Sequence, residues 1–338
     1  MKIFGWFVGL LGLCCACNAK EQIVIAHRGA SGYLPEHSME AKAMAYAMGA
    51  DYIEQDVVMT KDDRLVVLND LYLDRVTDVA QKFPGRNRAN GHFYVIDFTL
   101  AEIRRLEMTE GFTVKDGKQV QIFRDRFPLW KSSFRVHTFE EEIEMIQGLN
   151  HSTGNNIGIY PEIKSPGFYR SEGKDISLAV LKVLKQYGYA QKSDLVYVQC
   201  FESPEVQRMR KELFPMLGID LKLVQLISGD PGTRAGWIFK PGGMAKIAEY
   251  ADGIGPHYSM LIKENPTTDG LLTTDMLKDA RDSGLVIHPY TFRIDSGQIP
   301  AYAGDFETML DIFYNQVGVD GVFSDFPDRV VRFLSGTD

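Results

Sequence analysis

Polar and apolar positions along the chain follow two rhythms that take turns. Short unbroken apolar runs read as buried strands, and between them lie stretches with apolar residues three and four apart, which read as helices. Ile23-Val24-Ile25-Ala26 is a first strand, followed by Ala41, Met44, Ala45 and Met48 at helical spacing, with Gly49 where a helix cap belongs. Tyr52–Val58 and Leu65–Leu68 come next, separated by the polar turn Lys61-Asp62-Asp63. Residues from about 72 to 135 break the rhythm, are rich in Arg, Asp, Gly and Phe, and read as an insertion. It resumes at Thr138-Phe139-Glu140-Glu141, a capping box that opens a helix through Ile146. Further strands are expected at 157–160, 195–198, 221–224, 253–255, 285–287 and 321–323. Counting the Tyr52 and Leu65 runs as one unit gives eight βα repeats and predicts an α/β fold, a (β/α)₈ barrel. An open doubly wound sheet is the competing topology, but no Gly-rich dinucleotide loop follows the first strand.

The first twenty residues stand apart. Lys2 precedes the apolar run Ile3–Leu13, too short to span a bilayer and typical of an export leader over residues 1–19. Two endings compete, a lipobox-like Ala16-Cys17 that would make Cys17 the lipidated N-terminus, and ordinary cleavage after Cys17-Asn18-Ala19. Export to the periplasm or the outer membrane is expected, with the membrane reached only through such an anchor. Three of the four cysteines lie in the leader, which leaves Cys200 without an intramolecular disulfide partner. With 338 residues and a formal charge of −8, the chain repels polyphosphate backbones at long range, so nucleic acid is not an expected partner. A small anionic substrate is compatible with that charge, because local cations dominate a site.

In a (β/α)₈ barrel the chemistry sits at the C-terminal ends of the strands. Those ends carry His27-Arg28-Gly29, Glu54 and Asp56, then Asn69-Asp70, Glu162-Ile163-Lys164, Gln199-Cys200-Phe201, His288-Pro289-Tyr290 and Ser324-Asp325. Glu54 and Asp56 are two apart on one strand and face the same way. With Glu162 from the next strand, they call either for a hard divalent cation or for salt bridges to Lys164 and Arg28. Arg28 offers a fork for phosphate oxygens, and His27 can move a proton near neutral pH.

These residues sit in longer blocks, Ile25–His37, Ala50–Asp56, Tyr160–Lys164 and Phe323–Asp328. In them the sequence resembles the glycerophosphodiester phosphodiesterase family, specifically its exported bacterial GlpQ-like branch, over residues 22–336. The resemblance implies a barrel that hydrolyses glycerophosphodiesters such as glycerophosphocholine to sn-glycerol 3-phosphate and an alcohol, with Ca²⁺ or Mg²⁺ as cofactor. It implies Glu54, Asp56 and Glu162 as metal ligands, His27 as one catalytic histidine, and Arg28 and Lys164 as phosphate contacts. Glu36, Phe201 and His288 are candidate substrate contacts, and Trp237 a candidate for the mouth.

One position departs from the family. Its second catalytic histidine is expected in a segment that here reads Val66-Val67-Leu68-Asn69-Asp70-Leu71, with Asn69 at the histidine's place. An amide cannot exchange a proton at neutral pH, and losing one general acid–base group costs about 10²–10⁴ in rate. Three readings follow: an enzyme in which His37, His257 or His288 substitutes, a surface binding lipoprotein with weak catalysis, or a single altered position in an ordinary enzyme.

Overall fold

The computed structural model describes residues 22–228, 236–264 and 270–336. The leader and Cys17 lie outside the described residues. Eight parallel strands are Ile23–Ala26 (β1), Tyr52–Met59 (β2), Gly158–Ile163 (β3), Tyr197–Cys200 (β4), Lys222–Ile227 (β5), Gly253–Pro256 (β6), Val286–Ile287 (β7) and Gly321–Ser324 (β8). They follow one another in chain order around the sheet, and β1 pairs with β8 from Ile23↔Gly321 to Ala26↔Ser324. Main-chain bonds from Asp320 N to Ile287 O (3.0 Å) and from Phe323 N to Pro289 O (3.0 Å) join β8 to β7. The ring is therefore nearly closed, as expected, and the open-sheet alternative falls.

Parallel neighbours need long crossovers, and a helix follows each strand. These are Met39–Ala47 (α1), Phe139–Thr153 (α2), Ile176–Gln186 (α3), Ser203–Arg208 (α4), Gly243–Ala248 (α5), Asp275–Asp282 (α6), Phe306–Asp311 (α7) and Pro327–Ser335 (α8). Helix α2 starts at the expected capping box, with Thr138 accepting from Glu141 N, but runs past Ile146 to Thr153. The strands at 157, 195 and 221 begin one or two residues later than their apolar runs and extend two or three residues further, to Ile163, Cys200 and Ile227, because the barrel's own hydrogen bonds set where each strand starts and stops. Leu65–Val67 pairs antiparallel with the end of β2, from Met59↔Leu65 to Val57↔Val67, and stays off the ring.

The lumen is packed with rings. Tyr160 stacks on Tyr197 at 4.9 Å and meets Phe323 edge-on at 5.0 Å. Tyr52 fits because β3 begins with Gly158, where a Cβ would come within 2.3 Å of the Tyr52 ring. Three aspartates stitch the bottom of the barrel, one just before β2, one before β6 and one before β8. Asp51 Oδ2 accepts from Val24 N (2.7 Å), Asp252 Oδ2 from Leu223 N (2.8 Å) and Asp320 Oδ2 from Ile287 N (2.9 Å). Each also donates its own N–H to the neighbouring strand.

Between Val67 and α2 the chain forms short helices at Val79–Lys82 and Leu100–Ile103 and a hairpin of Phe112–Lys115 with Lys118–Gln121. Arg126 from this segment grips Asp295 with two bonds of 2.9 and 2.7 Å, and donates to Asp325 at 2.6 Å and to Ser31 O at 3.1 Å. The segment is thereby fastened over the C-terminal mouth.

Because Asp320 is buried and bonded to a buried N–H, Asp320→Ala is expected to lower stability by about 1.5–3 kcal/mol. The shift in the urea midpoint at neutral pH measures it.

Candidate active site

The turn after β1 sets the geometry. Arg28 and His37 both adopt left-handed backbone, with φ of 59° each. Gly29 between them has φ 84°, and a Cβ there would come within 2.7 Å of the Ala41 carbonyl carbon, so only glycine allows α1 to pack this close. The strained turn aims Arg28 N at Glu54 Oε2 (2.7 Å) and the imidazole of His27 at the mouth.

His27 Nδ1 lies 2.6 Å from Asp325 Oδ1. A carboxylate accepts, so Nδ1 carries the proton and the Nε2 lone pair is free. Burial, with Arg28 nearby, lowers the His27 pKa to about 4, and the ring is neutral at physiological pH. Asp325 also accepts from Arg126 Nη2 (2.6 Å) and Arg293 Nε (2.7 Å). Against the cost of burial, Arg293 and His27 hold its carboxyl well below the usual range. A neutral imidazole anchored on a carboxylate is the arrangement of an oriented general base.

Glu54 and Asp56 share the inner face of β2, as their spacing predicts, and Asp56 pairs in register with Glu162 on β3. All three are buried. Burial and then Asp56 push the Glu54 carboxyl well above its ordinary value, and the Glu162 carboxyl rises to about 8 for the same reasons. Asp56 goes the other way, because Lys164 and His37 outweigh burial. Lys164 Nζ stands 2.9 Å from Glu162 Oε1 and 3.5 Å from Asp56 Oδ1, and Arg28 Nε 3.4 Å from Asp56 Oδ2. The carboxylates thus converge on one another and on both basic side chains, and the salt bridges anticipated as the alternative to a cation are present.

A tight donor set, with one atom of each residue within 4.8 Å of the others, is His37, Glu54 and Asp56. His37 Nε2 donates to Asp56 Oδ2 at 2.7 Å from the far side of that carboxylate, so it orients a ligand oxygen. Asp56 Oδ1 and Gln199 Oε1 are buried and lack a hydrogen-bond partner. Crowded carboxylates with unsatisfied oxygens fit a hard cation. Beneath them Lys42, wholly buried, donates to Glu54 O and lies 3.1 Å from Glu142 Oε1.

His27, Arg28, Glu54, Glu162 and Lys164 line one cleft of about 190 Å³ with Gln199, Phe201, Leu226, His257, Tyr290, Thr291 and Arg293. Asn69 stands at its edge, where its Oδ1 accepts from Lys164 Nζ at 3.4 Å.

Other candidates fall elsewhere. His288 is a correction: it is 1% exposed and bonds the Tyr160 hydroxyl at 2.9 Å, because its strand end turns into the lumen. Glu36 is drawn away from the cleft by Arg28 (2.7 Å) and Arg75 (3.2 Å). Trp237 lines a neighbouring groove. Cys200 is buried, and burial pushes its thiol up.

The glycerophosphoryl diester phosphodiesterase family model matches residues 27–329. The chain belongs to that family. It is 53% identical over 331 residues to a glycerophosphodiester phosphodiesterase of Haemophilus influenzae, covering 94% of this chain and 90% of that protein. It is 44% identical over 345 residues to one of Treponema pallidum, covering 98% and 95%. Among solved structures, a phosphodiesterase of Oleispira antarctica in complex with the product sn-glycerol 3-phosphate shares the fold. Its TM-score is 0.61 at 19% identity, over 93% of this chain and 96% of that one. A Silicibacter pomeroyi family member reaches 0.67 at 22% identity, over 94% of each chain.

The sequence reading of this phosphodiesterase-family chain missed Asp325 as anchor of His27, although the β1–β8 pairing of a closed barrel makes residues 27 and 325 neighbours. It missed the orienting role of His37 and the grip of Arg126, which depend on a turn and an insertion with no periodic signal.

A second chamber of about 220 Å³ adjoins the cleft, bounded by Arg28, Arg75, Arg126, Phe123 and Glu110. Glu110 is 2% exposed, its Oε2 has no partner, and burial pushes its carboxyl up to about 8. A raised carboxyl favours the folded state below pH 4.5, and that contribution fades as pH climbs through 8. Glu110→Gln is therefore expected to be more stable than wild type above pH 8, by on the order of 3 kcal/mol, with the gap closing toward pH 4.5. Denaturant midpoints across pH check this.

Proposed function

We propose that this chain hydrolyses glycerophosphodiesters of the glycerophosphocholine type to sn-glycerol 3-phosphate and an alcohol. The reading rests on one observation: a neutral His27 braced by Asp325 shares a cleft with two phosphate-seeking cations and with Glu54 and Glu162, against which the buried Asp56 is crowded. The names of the Haemophilus and Treponema relatives, and the product bound to the Oleispira protein, support the same substrate class.

Glu54, Asp56 and Glu162 are the proposed ligands of Ca²⁺ or Mg²⁺, with His37 holding Asp56 in place. A cation bound there would neutralise phosphate charge and polarise the phosphoryl oxygen. Arg28 and Lys164 grip the non-bridging phosphate oxygens, and His27 Nε2 takes a proton from the attacking oxygen. The leader supports export to the periplasm or outer membrane, with Cys17 as the lipid-bearing residue.

Glycerol 3-phosphate release from glycerophosphocholine tests this directly. Chelation is expected to lower kcat by at least about a hundredfold, with recovery on adding Ca²⁺ or Mg²⁺, and Asp56→Asn to do the same without recovery. Turnover indifferent to chelator would remove the cation, and no glycerol 3-phosphate under any condition would sink the reading.

A further inference from the structure

Asn69 stands where the family resemblance implies a second catalytic histidine. The chain has seven histidines, and His27 and His257 are the two that line the cleft among the described residues. The others are occupied elsewhere. His37 and His288 are buried on Asp56 and Tyr160. His92 stacks on Tyr72, His137 is bound to Glu142, and His151 sits in the last turn of α2. Of the three that could replace the missing histidine, His257 alone lines the cleft.

Its setting complements that of His27. His257 follows β6, where its Nδ1 accepts from Ser259 N at 3.4 Å and lies 2.7 Å from Ser259 Oγ. With Nδ1 accepting, the resting ring carries its proton on Nε2. His27 is the reverse, with Nδ1–H given to Asp325 and Nε2 bare. One ring can accept at Nε2 and the other can donate. The hydroxyl of Ser259 can partner Nδ1 whether or not that nitrogen is protonated. Tyr258 at 4.5 Å and Tyr290 at 5.7 Å brace the ring, while the Tyr290 hydroxyl is spent on Ile227 O. The two histidines reach the cleft from β1 and β6, three strands apart around the barrel, and in-line exchange needs attacking and leaving oxygens on opposite sides of phosphorus.

We propose that His257 is the second catalytic residue of this enzyme, protonating the departing alcohol in the role that Asn69 cannot fill; this rests on the phosphodiesterase reading above. Water's oxygen bonds to phosphorus and its proton passes to His27 Nε2. The bond from phosphorus to the alcohol oxygen breaks, and that oxygen takes the Nε2 proton of His257, whose Nδ1 has first taken a proton from solvent, leaving a neutral ring protonated at Nδ1. Diester and water become glycerol 3-phosphate and alcohol; His27 returns its extra proton to solvent, and His257 exchanges its Nδ1 proton for one on Nε2 through solvent, so both rings regain their starting states.

The experiment compares wild type and His257→Gln on glycerophosphocholine and on the p-nitrophenyl ester of glycerol 3-phosphate, with Ca²⁺ present. Choline needs a proton to leave, and nitrophenolate does not. On glycerophosphocholine kcat is expected to fall about 10²–10⁴-fold with KM little changed, and on the nitrophenyl ester by less than about tenfold. Adding Asn69→His to His257→Gln is expected to recover at least about tenfold of the choline-ester rate. Unchanged kcat on glycerophosphocholine overturns the assignment. So does an equal loss on both esters, which marks a structural role. Failure of the wild-type protein to hydrolyse either ester overturns the phosphodiesterase reading itself, and this inference with it.

Discussion

Three carboxylates at the mouth of this barrel lie too close together, and too far from water, for each to keep a full charge unaided. Much of the local architecture answers that constraint. Arg28 reaches them only because its backbone is left-handed, which in turn requires glycine at 29 and a close approach of α1. Lys164 leaves the end of β3 on the same side as Glu162, two residues on. Lys42 comes up from beneath with Glu142 as its own counter-charge, so the charge that supports β2 is itself supported.

A second node, at Asp325, does for proton transfer what the carboxylates do for charge. One buried side chain receives His27 from the strand beside it, Arg293 from the loop after β7, and Arg126 from the segment before α2. Barrel closure, the segment over the mouth and the orientation of His27 therefore meet at a single residue. Disturbing any of the three reaches His27 through a path of charge-assisted bonds, the strong kind.

The parts legible in the sequence were those with a period. Alternation placed Glu54 and Asp56 on one face, apolar runs located all eight strands to within a few residues, and a capping box marked the start of α2. Features that depend on closure or on an irregular turn had no such signal. His288 reads as a strand-end residue like His27, yet the turn of its strand sends it into the lumen against Tyr160. Glu36 sits beside the right block but answers to Arg28 and Arg75. His37 looked like a spare proton carrier and is instead a brace for Asp56. Asn69 was visible at once as an exception, and His257 was one of three histidines able to stand in for it; what separates His257 from His37 and His288 is the cleft, which only the fold reveals.

The aspartates at 51, 252 and 320 tie the opposite end of the barrel, strand to strand, with side-chain bonds that no loop at the mouth takes part in. A set of ties independent of the Asp325 node thus sits at the other end of the barrel axis. A change in a loop around the cleft therefore leaves these three ties between strands untouched, because they run along the far rim.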